Sequence, residues 1–184
     1  VDPNRHNEQQ PQEEFDTTRS LPHAKVIAID SEREFGLSVL RRLHQELIAR
    51  GTLLRQAGVD GIKGYRQKYP DAMMPRILAV FDEFQHIFQK SDALSGEANM
   101  LIETLTRMGR AFGIHLIFAT QSPIIDNFDR GIYSFIDLRM AQQMDEKSAA
   151  FVLAEDNVDS ITLLEKPGDI LYNPMMGRSC LLYT

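Results

Sequence analysis

The amino-acid sequence predicts an α/β fold built on a mainly parallel sheet, with helices on both faces of that sheet. Two runs, residues 76–81 and 114–119, have the nearly continuous hydrophobicity of strands that are buried on both sides. Before each of them lies a longer stretch in which apolar residues recur at helical spacing. Strands that alternate with helices in this way favour parallel pairing through right-handed crossovers.

The first 60 residues contain a polar segment, a strand and a long helix. Residues 1–20 are almost free of apolar side chains, so we expect a linker or a disordered lead-in there. An apolar run over 26–29 predicts a buried strand that ends near Asp30. Ser31 is expected to cap the helix that follows, because Glu34 stands at capping-box spacing, and the amphipathic pattern extends to about Gln56.

The alternation of helices and strands continues along the rest of the chain, and we treat residues 21–184 as one structural unit. The strand at 76–81 is the strongest in the sequence, and a short helix is expected through Phe88. A second long helix is expected to stop at Gly113, since glycine commonly closes helices. The remaining predicted elements are the strand at 114–119, a strand over 135–140, a short helix over 147–153, and two strands over 169–172 and 180–183 around a turn.

The composition restricts the class of protein. A chain of 184 residues can form one domain with a sizeable core. Its 20 Lys and Arg against 26 Asp and Glu give a formal charge of −6, which is atypical of a small basic nucleic-acid-binding module. The single cysteine, Cys180, excludes a disulfide framework and a cysteine-rich zinc site. No apolar run reaches the roughly 18 residues of a membrane helix, so we expect a cytoplasmic protein without a membrane segment.

Two acidic residues follow the strongest strand. Asp82 and Glu83, placed after at least four apolar residues, form a Walker B pattern. A strand anchored by its apolar side chains would hold Asp82 rigidly at the sheet edge, where it could bind Mg²⁺ through water. Glu83 would then orient and polarise the attacking water. The plainer alternative is that both acids mark the return of the chain to solvent or cap the next helix.

The neighbouring predicted strand ends in Thr120 and Gln121. Ligands of open parallel sheets bind at the carboxyl ends of the strands, where this pair would lie beside Asp82 and Glu83. The Gln121 amide can hydrogen-bond both a phosphate oxygen and a water, which suits it to sensing a γ-phosphate. A simple turn that opens into the loop at Pro123 would explain the same residues.

Basic residues supply two further sets of candidates. Arginine stabilises charge on a transferring phosphate, in the same subunit or as a finger that reaches a neighbouring one. The candidates for this part are Arg107, Arg110 and Arg139. A modestly basic stretch around the glycine-rich turn after the long helix provides candidates for DNA contact, and a solvated loop is the alternative for this stretch. Its members are Arg55, Lys63, Arg66 and Lys68.

Five segments, in their order along the chain, resemble the motor domain of the FtsK/SpoIIIE family of DNA translocases, which are HerA/FtsK-type ATPases. They are residues 21–23, 57–66, 78–83, 109–123 and 167–172, of which 109–123 is the most specific. The resemblance implies a RecA-like P-loop NTPase fold, a hexameric ring, and ATP hydrolysis at subunit interfaces that drives double-stranded DNA through a pore. At matching positions it implies that Asp82 serves the Mg²⁺ site, Glu83 is the catalytic glutamate and Gln121 ends the following strand.

One part of the family pattern is absent from this sequence. No Gly-x-x-x-x-Gly-Lys-Ser/Thr motif, the Walker A P-loop, occurs, and the glycines at 58, 61 and 64 lead into Tyr65. We therefore expect residues 21–184 to be the later part of a motor domain, incomplete at its N-terminal side. The isolated chain would not hydrolyse ATP, whereas its parent would use ATP and Mg²⁺ to move double-stranded DNA. Two alternatives remain: a type VII secretion motor that moves polypeptide, and a non-catalytic ring-assembly module with a degenerate ATPase fold.

Overall fold

A computed structural model describes residues 21–26, 32–153, 164, 166, 168–174 and 180–182. The predicted lead-in over 1–20, the cap at Ser31 and all but the first residue of the strand over 26–29 lie outside the described residues. So does most of the turn near the C-terminus. The two long helices and the two apolar strands fall within the described part, where the structure tests them.

The helices alternate with strands in the predicted order; the short helix expected through Phe88 is a 3-10 helix, and a second 3-10 helix begins at Arg130. Helix α1 ends at Ala57, one residue beyond the predicted Gln56, where Gly58 adopts the left-handed backbone conformation. The second long helix begins earlier than its apolar pattern indicates, because the Asp92 side chain caps it by accepting from Ser95 N. In order, the elements are α1 Arg33–Ala57, α2 Ile62–Lys68, β1 Ile77–Phe81, 3-10 helix Phe84–Phe88, α3 Ala93–Phe112, β2 Ile114–Phe118, 3-10 helix Arg130–Phe135, β3 Leu138–Ala141, α4 Glu146–Val152, β4 Ile170–Pro174 and β5 Cys180–Leu182.

The described strands form two separate sheets. Strands β1 and β2 are parallel, with Ile77 opposite Ile114 and Phe81 opposite Phe118. Strands β3, β4 and β5 form an antiparallel sheet in that order. Parallel pairing is therefore confined, among the described strands, to the pair that carries the site, whereas the sequence predicted a mainly parallel sheet. In strand β3 alternate residues, Arg139 and Ala141, are buried, so this sheet has one covered face.

Helices α1 and α3 pack against each other and against one face of the β1–β2 pair. Leu40 of α1 and Ile102 of α3 are completely buried in this core. On the opposite face, Leu78, Val80 and Ile117 are 62%, 60% and 48% exposed. In the described part of the chain, helices thus cover one face of the parallel pair, whereas we expected them on both. No helix in that part is long and apolar enough to cross a membrane.

A tight turn fixes the position of β2 directly after α3. Gly113 has φ 73°, and a Cβ atom on it would lie 2.3 Å from Ile62 Cδ1, so no other residue fits without displacement. The buried Arg50 of α1 reinforces the turn, because its Nη1 donates to the carbonyl oxygen of Phe112 at 2.9 Å. The sequence pattern did not predict this contact. The turn at Gly113 and the hydrogen bond from Arg50 together hold the start of β2 in register with β1.

Candidate functional site

The carboxyl ends of β1 and β2 meet at one edge of the parallel pair, as the sequence predicted. Beyond the strands, Ala119 N donates to the carbonyl oxygen of Phe81 at 2.9 Å, and Phe84 N donates to that of Ala119 at 3.2 Å. These bonds extend the pairing past both strand ends. They bring the segment containing Asp82 and Glu83 alongside the segment containing Thr120 and Gln121.

Glu83 has an unusual backbone conformation. With φ 47° and ψ 44° it is left-handed, and among the described residues other than glycine it alone has a positive φ. This conformation costs about 1 kcal/mol or more for an L-residue with a side chain. It turns the chain abruptly from β1 into the following 3-10 helix. The turn leaves the Glu83 carboxylate half-buried and in contact with the end of β2.

The Glu83 carboxylate accepts hydrogen bonds from three N–H groups. Gln85 Nε2 donates to Oε2 at 2.6 Å, the backbone N of Gln121 donates to the same oxygen at 3.3 Å, and Gln121 Nε2 donates to Oε1. These donors, with Gln85 making the largest contribution, hold the pKa of Glu83 below its ordinary value. The carboxylate is therefore ionised at neutral pH, the state in which it can orient a water molecule or accept a proton.

Asp82 lies at the same edge and is exposed to solvent. Its Oδ1 accepts from Glu83 N at 3.0 Å, which leaves the rest of the carboxylate available. Among the described residues, no group of three or more His, Cys, Asp or Glu side chains could together hold a metal. A single exposed carboxylate suits Mg²⁺, which binds through one or two carboxylates and keeps several of its waters.

Gln85, a residue that the sequence analysis missed, joins the two strand ends. Its side-chain amide donates to Glu83, and its Oε1 accepts from the Thr120 hydroxyl. The Thr120 oxygen in turn accepts from Ser122 N at 3.0 Å. The signal in the sequence was weak: Gln85 is a polar residue within a run whose neighbours Phe84 and Ile87 are buried.

The arginine candidates occupy different environments. Arg107 is exposed on α3, pairs with Glu103 at 3.0 Å, and lies over the Phe135 ring at 5.1 Å from its centroid. Arg110 is also exposed and lies 3.6 Å from Asp137. Neither guanidinium forms a hydrogen bond or ion pair with the strand-end residues in the described part of the chain. Their exposure is compatible with reaching another molecule.

Arg139 is 6% exposed and lies inside the C-terminal part of the fold. Its guanidinium donates to the backbone carbonyl oxygens of Tyr133, Ile136 and Val152. Burial lowers the pKa of Arg139, and it raises the pKa of neighbouring Tyr133 to about 12. Because its guanidinium donates to backbone carbonyl oxygens, Arg139 has the environment of a structural residue, which does not favour a role as an arginine finger.

The four DNA-contact candidates fall into two pairs, which differ in whether their side chains donate to backbone carbonyl oxygens. Lys68 Nζ donates to the carbonyl oxygen of Ala57 at 2.6 Å, and Arg66 Nε donates to that of Met74 at 3.1 Å, so both hold the fold together locally. Arg55 is exposed and contacts only the nearby Thr52 hydroxyl among the described residues. Lys63 is exposed and has no hydrogen-bond or ion-pair partner in that part of the chain.

Several known proteins resemble this chain in sequence or in fold. The sequence profile of the FtsK/SpoIIIE family matches residues 11–124, which is more than half of the chain. The "DNA translocase FtsK" of Caldanaerobacter subterraneus subsp. tengcongensis is 30% identical over 167 residues, which cover 88% of this chain and 22% of that protein. The chain thus spans about a fifth of the length of such relatives.

Two solved structures share the fold. The pCW3 conjugation coupling protein TcpA, a structure with ATPγS, superimposes with a TM-score of 0.73 at 25% identity, covering 82% of this chain and 44% of that one. The cytoplasmic domain of the type VII secretion ATPase EccC from Thermomonospora curvata gives a TM-score of 0.60 at 23% identity, covering 83% of this chain and 18% of that one. The fold is therefore that of a P-loop ATPase motor domain, and the chain belongs to the FtsK/SpoIIIE family.

Proposed function

We propose that this chain is part of an ATP-driven ring motor that moves double-stranded DNA. The observation that carries the proposal is the contact between Glu83 and Gln121 where parallel strands β1 and β2 end. An ionised carboxylate held against the polar end of the next strand is what hydrolysis of a bound nucleotide requires. Membership of the FtsK/SpoIIIE family supports the nucleotide as ATP.

In this proposal each strand-end residue has its own part. Glu83 orients the attacking water and accepts its proton at a carboxylate oxygen. Gln121, through its side-chain amide, links the state of the nucleotide to Glu83. Asp82 would hold Mg²⁺ through water, and the ion, when bound, would neutralise charge on the phosphates. Arg107 and Arg110, both exposed on α3, are the candidates that would reach the nucleotide of a neighbouring subunit in a hexameric ring.

Residues 21–184 would form the later part of the motor domain, and residues 1–20 a linker that leads into it. The P-loop, which supplies backbone donors and a lysine to the phosphates, is not encoded within these 184 residues. We therefore propose that hydrolysis is a property of the parent motor and that the isolated chain is inactive.

Calorimetric titration of the 184-residue chain with ATP and Mg²⁺ should show no micromolar binding. The reason is that Asp82 and Glu83 present carboxylates alone, without the donors that cradle a triphosphate. The parent motor titrated under the same conditions serves as the control and should bind ATP. Micromolar affinity in the isolated chain would contradict the proposal that it lacks a phosphate cradle.

The cargo is a separate question, because one motor fold can serve several functions. EccC, which shares the fold, is named as a type VII secretion ATPase. A polypeptide cargo is therefore the second candidate. Arg55 and Lys63 are exposed basic residues around the turn after α1, and neither donates from its side chain to a backbone carbonyl among the described residues, which favours DNA. The formal charge of −6 restricts any such contact to a local surface.

Changing both Arg55 and Lys63 to glutamate in the parent motor should weaken its binding to duplex DNA about tenfold or more at physiological salt, because phosphate contacts are lost. The slope of log affinity against log salt should fall by about one for each contact removed. Lys90→Glu, also at an exposed position, is the matched control and should keep the original slope. If the parent binds duplex DNA without salt dependence, or not at all, the polypeptide cargo is favoured instead.

A further inference from the structure

Among the described residues, the Gln85 side chain alone is hydrogen-bonded to both the Glu83 carboxylate and the Thr120 hydroxyl. We infer that Gln85 is a positioning residue, which fixes the Glu83 carboxylate at the sheet edge by tying it to the end of β2. The inference rests on the proposed part of Glu83 in hydrolysis. Gln85 itself would contact neither the nucleotide nor the water.

The chemistry of the three groups determines how the Gln85 amide is oriented. An ionised carboxylate can only accept hydrogen bonds, so the amide nitrogen must face Glu83, where Nε2 lies 2.6 Å from Oε2. The amide oxygen must then face Thr120, whose hydroxyl donates to it. The opposite orientation would set an amide oxygen against the carboxylate. The Glu83 carboxylate therefore selects the orientation of the Gln85 amide, and the Thr120 hydroxyl stabilises that orientation by donating to the amide oxygen.

The backbone that carries Gln85 is anchored in the core. Its neighbours Phe84, Ile87 and Phe88 are 4%, 6% and 2% exposed. Phe84 also packs against Phe118 of β2, with ring centroids 5.0 Å apart. Because three residues of this short 3-10 helix are buried in the core, the backbone at Gln85 is held in a fixed position next to Glu83. Rigid support of this kind is what keeps a catalytic group within the narrow range of productive geometry.

The contact with Gln85 does more than the other two contacts of Glu83. Gln121 reaches Glu83 from an exposed segment, through its side-chain amide and through its backbone N–H at 3.3 Å. Gln85 donates over a similarly short distance, but it is half-buried and makes the largest contribution to the lowered pKa of Glu83. If Gln121 moves to contact a nucleotide, Gln85 remains as the group that holds the carboxylate in place and ionised.

The first experiment follows the contact between Glu83 and the end of β2 by NMR in the 184-residue chain, through the backbone N–H of Gln121, which donates to the same carboxylate oxygen as Gln85. In Gln85→Met, and in the isosteric Gln85→Glu, where an acceptor replaces the donor, the carboxylate should be released and the chemical shift of that N–H should move towards the value of an unbonded amide. Gln89→Met, an exposed glutamine on the same segment, is the control and should leave the signal unchanged. An unchanged Gln121 N–H signal in both Gln85 variants overturns the inference.

The second experiment measures ATP hydrolysis by the parent motor against pH. Gln85→Met should lower kcat about tenfold, with KM for ATP unchanged, and shift the acidic limb of the profile to higher pH. A raised KM with unchanged kcat would overturn the claim that Gln85 positions the Glu83 carboxylate. Glu83→Gln measured alongside distinguishes the two ideas. If that variant keeps full turnover, the proposed part of Glu83 fails and the catalytic side of this inference fails with it. If it loses turnover while Gln85→Met keeps its kcat, the inference about Gln85 alone is overturned.

Discussion

Replacing Glu83 by glutamine in the parent motor is expected to lower kcat for ATP hydrolysis by about 10²- to 10⁴-fold, the usual loss when a general base is removed. Binding of ATP should be kept, because the proposed part of Glu83 concerns the attacking water. Glutamine has the same length as glutamate, so the packing around Phe84 should be undisturbed. Steady-state hydrolysis and equilibrium binding of ATP, measured on the same preparation, separate the two effects.

Glu34→Gln is the matched control for this variant. Glu34 is an exposed glutamate in the first turn of α1, and its replacement should leave turnover unchanged. If Glu83→Gln hydrolyses ATP at the original rate, Glu83 loses its proposed part. If the unaltered parent hydrolyses none, the non-catalytic ring-assembly alternative is supported instead.

Replacing Arg139 by methionine should lower the free energy of unfolding of the 184-residue chain by about 3 kcal/mol. The guanidinium donates to three backbone carbonyl oxygens, and each such hydrogen bond to a charged group contributes about 1.5–3 kcal/mol, partly offset here by the apolar replacement. Urea unfolding followed by circular dichroism, with no nucleotide present, measures the change. Because the measurement needs no ATP, it isolates the structural contribution of Arg139.

Arg107→Met is the comparison, since Arg107 is exposed and its pair with Glu103 lies on the helix surface. Surface changes of this kind usually alter stability by no more than about 0.5 kcal/mol. Equal stability losses in the two variants would contradict the distinction we draw between these arginines. An Arg139→Met protein of unchanged stability would return Arg139 to the finger candidates.

The parts of the structure that the sequence predicted best are those determined by local pattern. Continuous hydrophobicity identified β1 and β2, and parallel pairing then required the residues after Phe81 and Phe118 to meet. This is why the neighbourhood of Glu83 and Gln121 could be anticipated without coordinates. Helix α1 was equally accessible, because its apolar residues repeat regularly and Gly58 marks its end.

What the sequence did not predict depends on contacts between distant segments. Gln85 reaches Thr120 only because the left-handed Glu83 turns the chain, and a single sequence shows no sign of such a turn at a glutamate. The burial of Arg139 could not be predicted, because it depends on carbonyl groups from two other elements. The antiparallel sheet likewise depends on the pairing of β3 with β4, which lies some 30 residues further along the chain.

At residue 83, the backbone conformation favours glycine, whereas the proposed chemistry requires a carboxylate. A left-handed conformation favours glycine, which would adopt φ 47° without steric penalty but carries no carboxylate. A chain selected for thermal stability alone would be expected to lose the acid at this position. Under the proposed function, some conformational stability is given up for activity at this residue, as is common where function requires a strained residue. Stabilising substitutions sought for this domain should therefore be chosen elsewhere, since the easiest gain at position 83 would also be the most damaging.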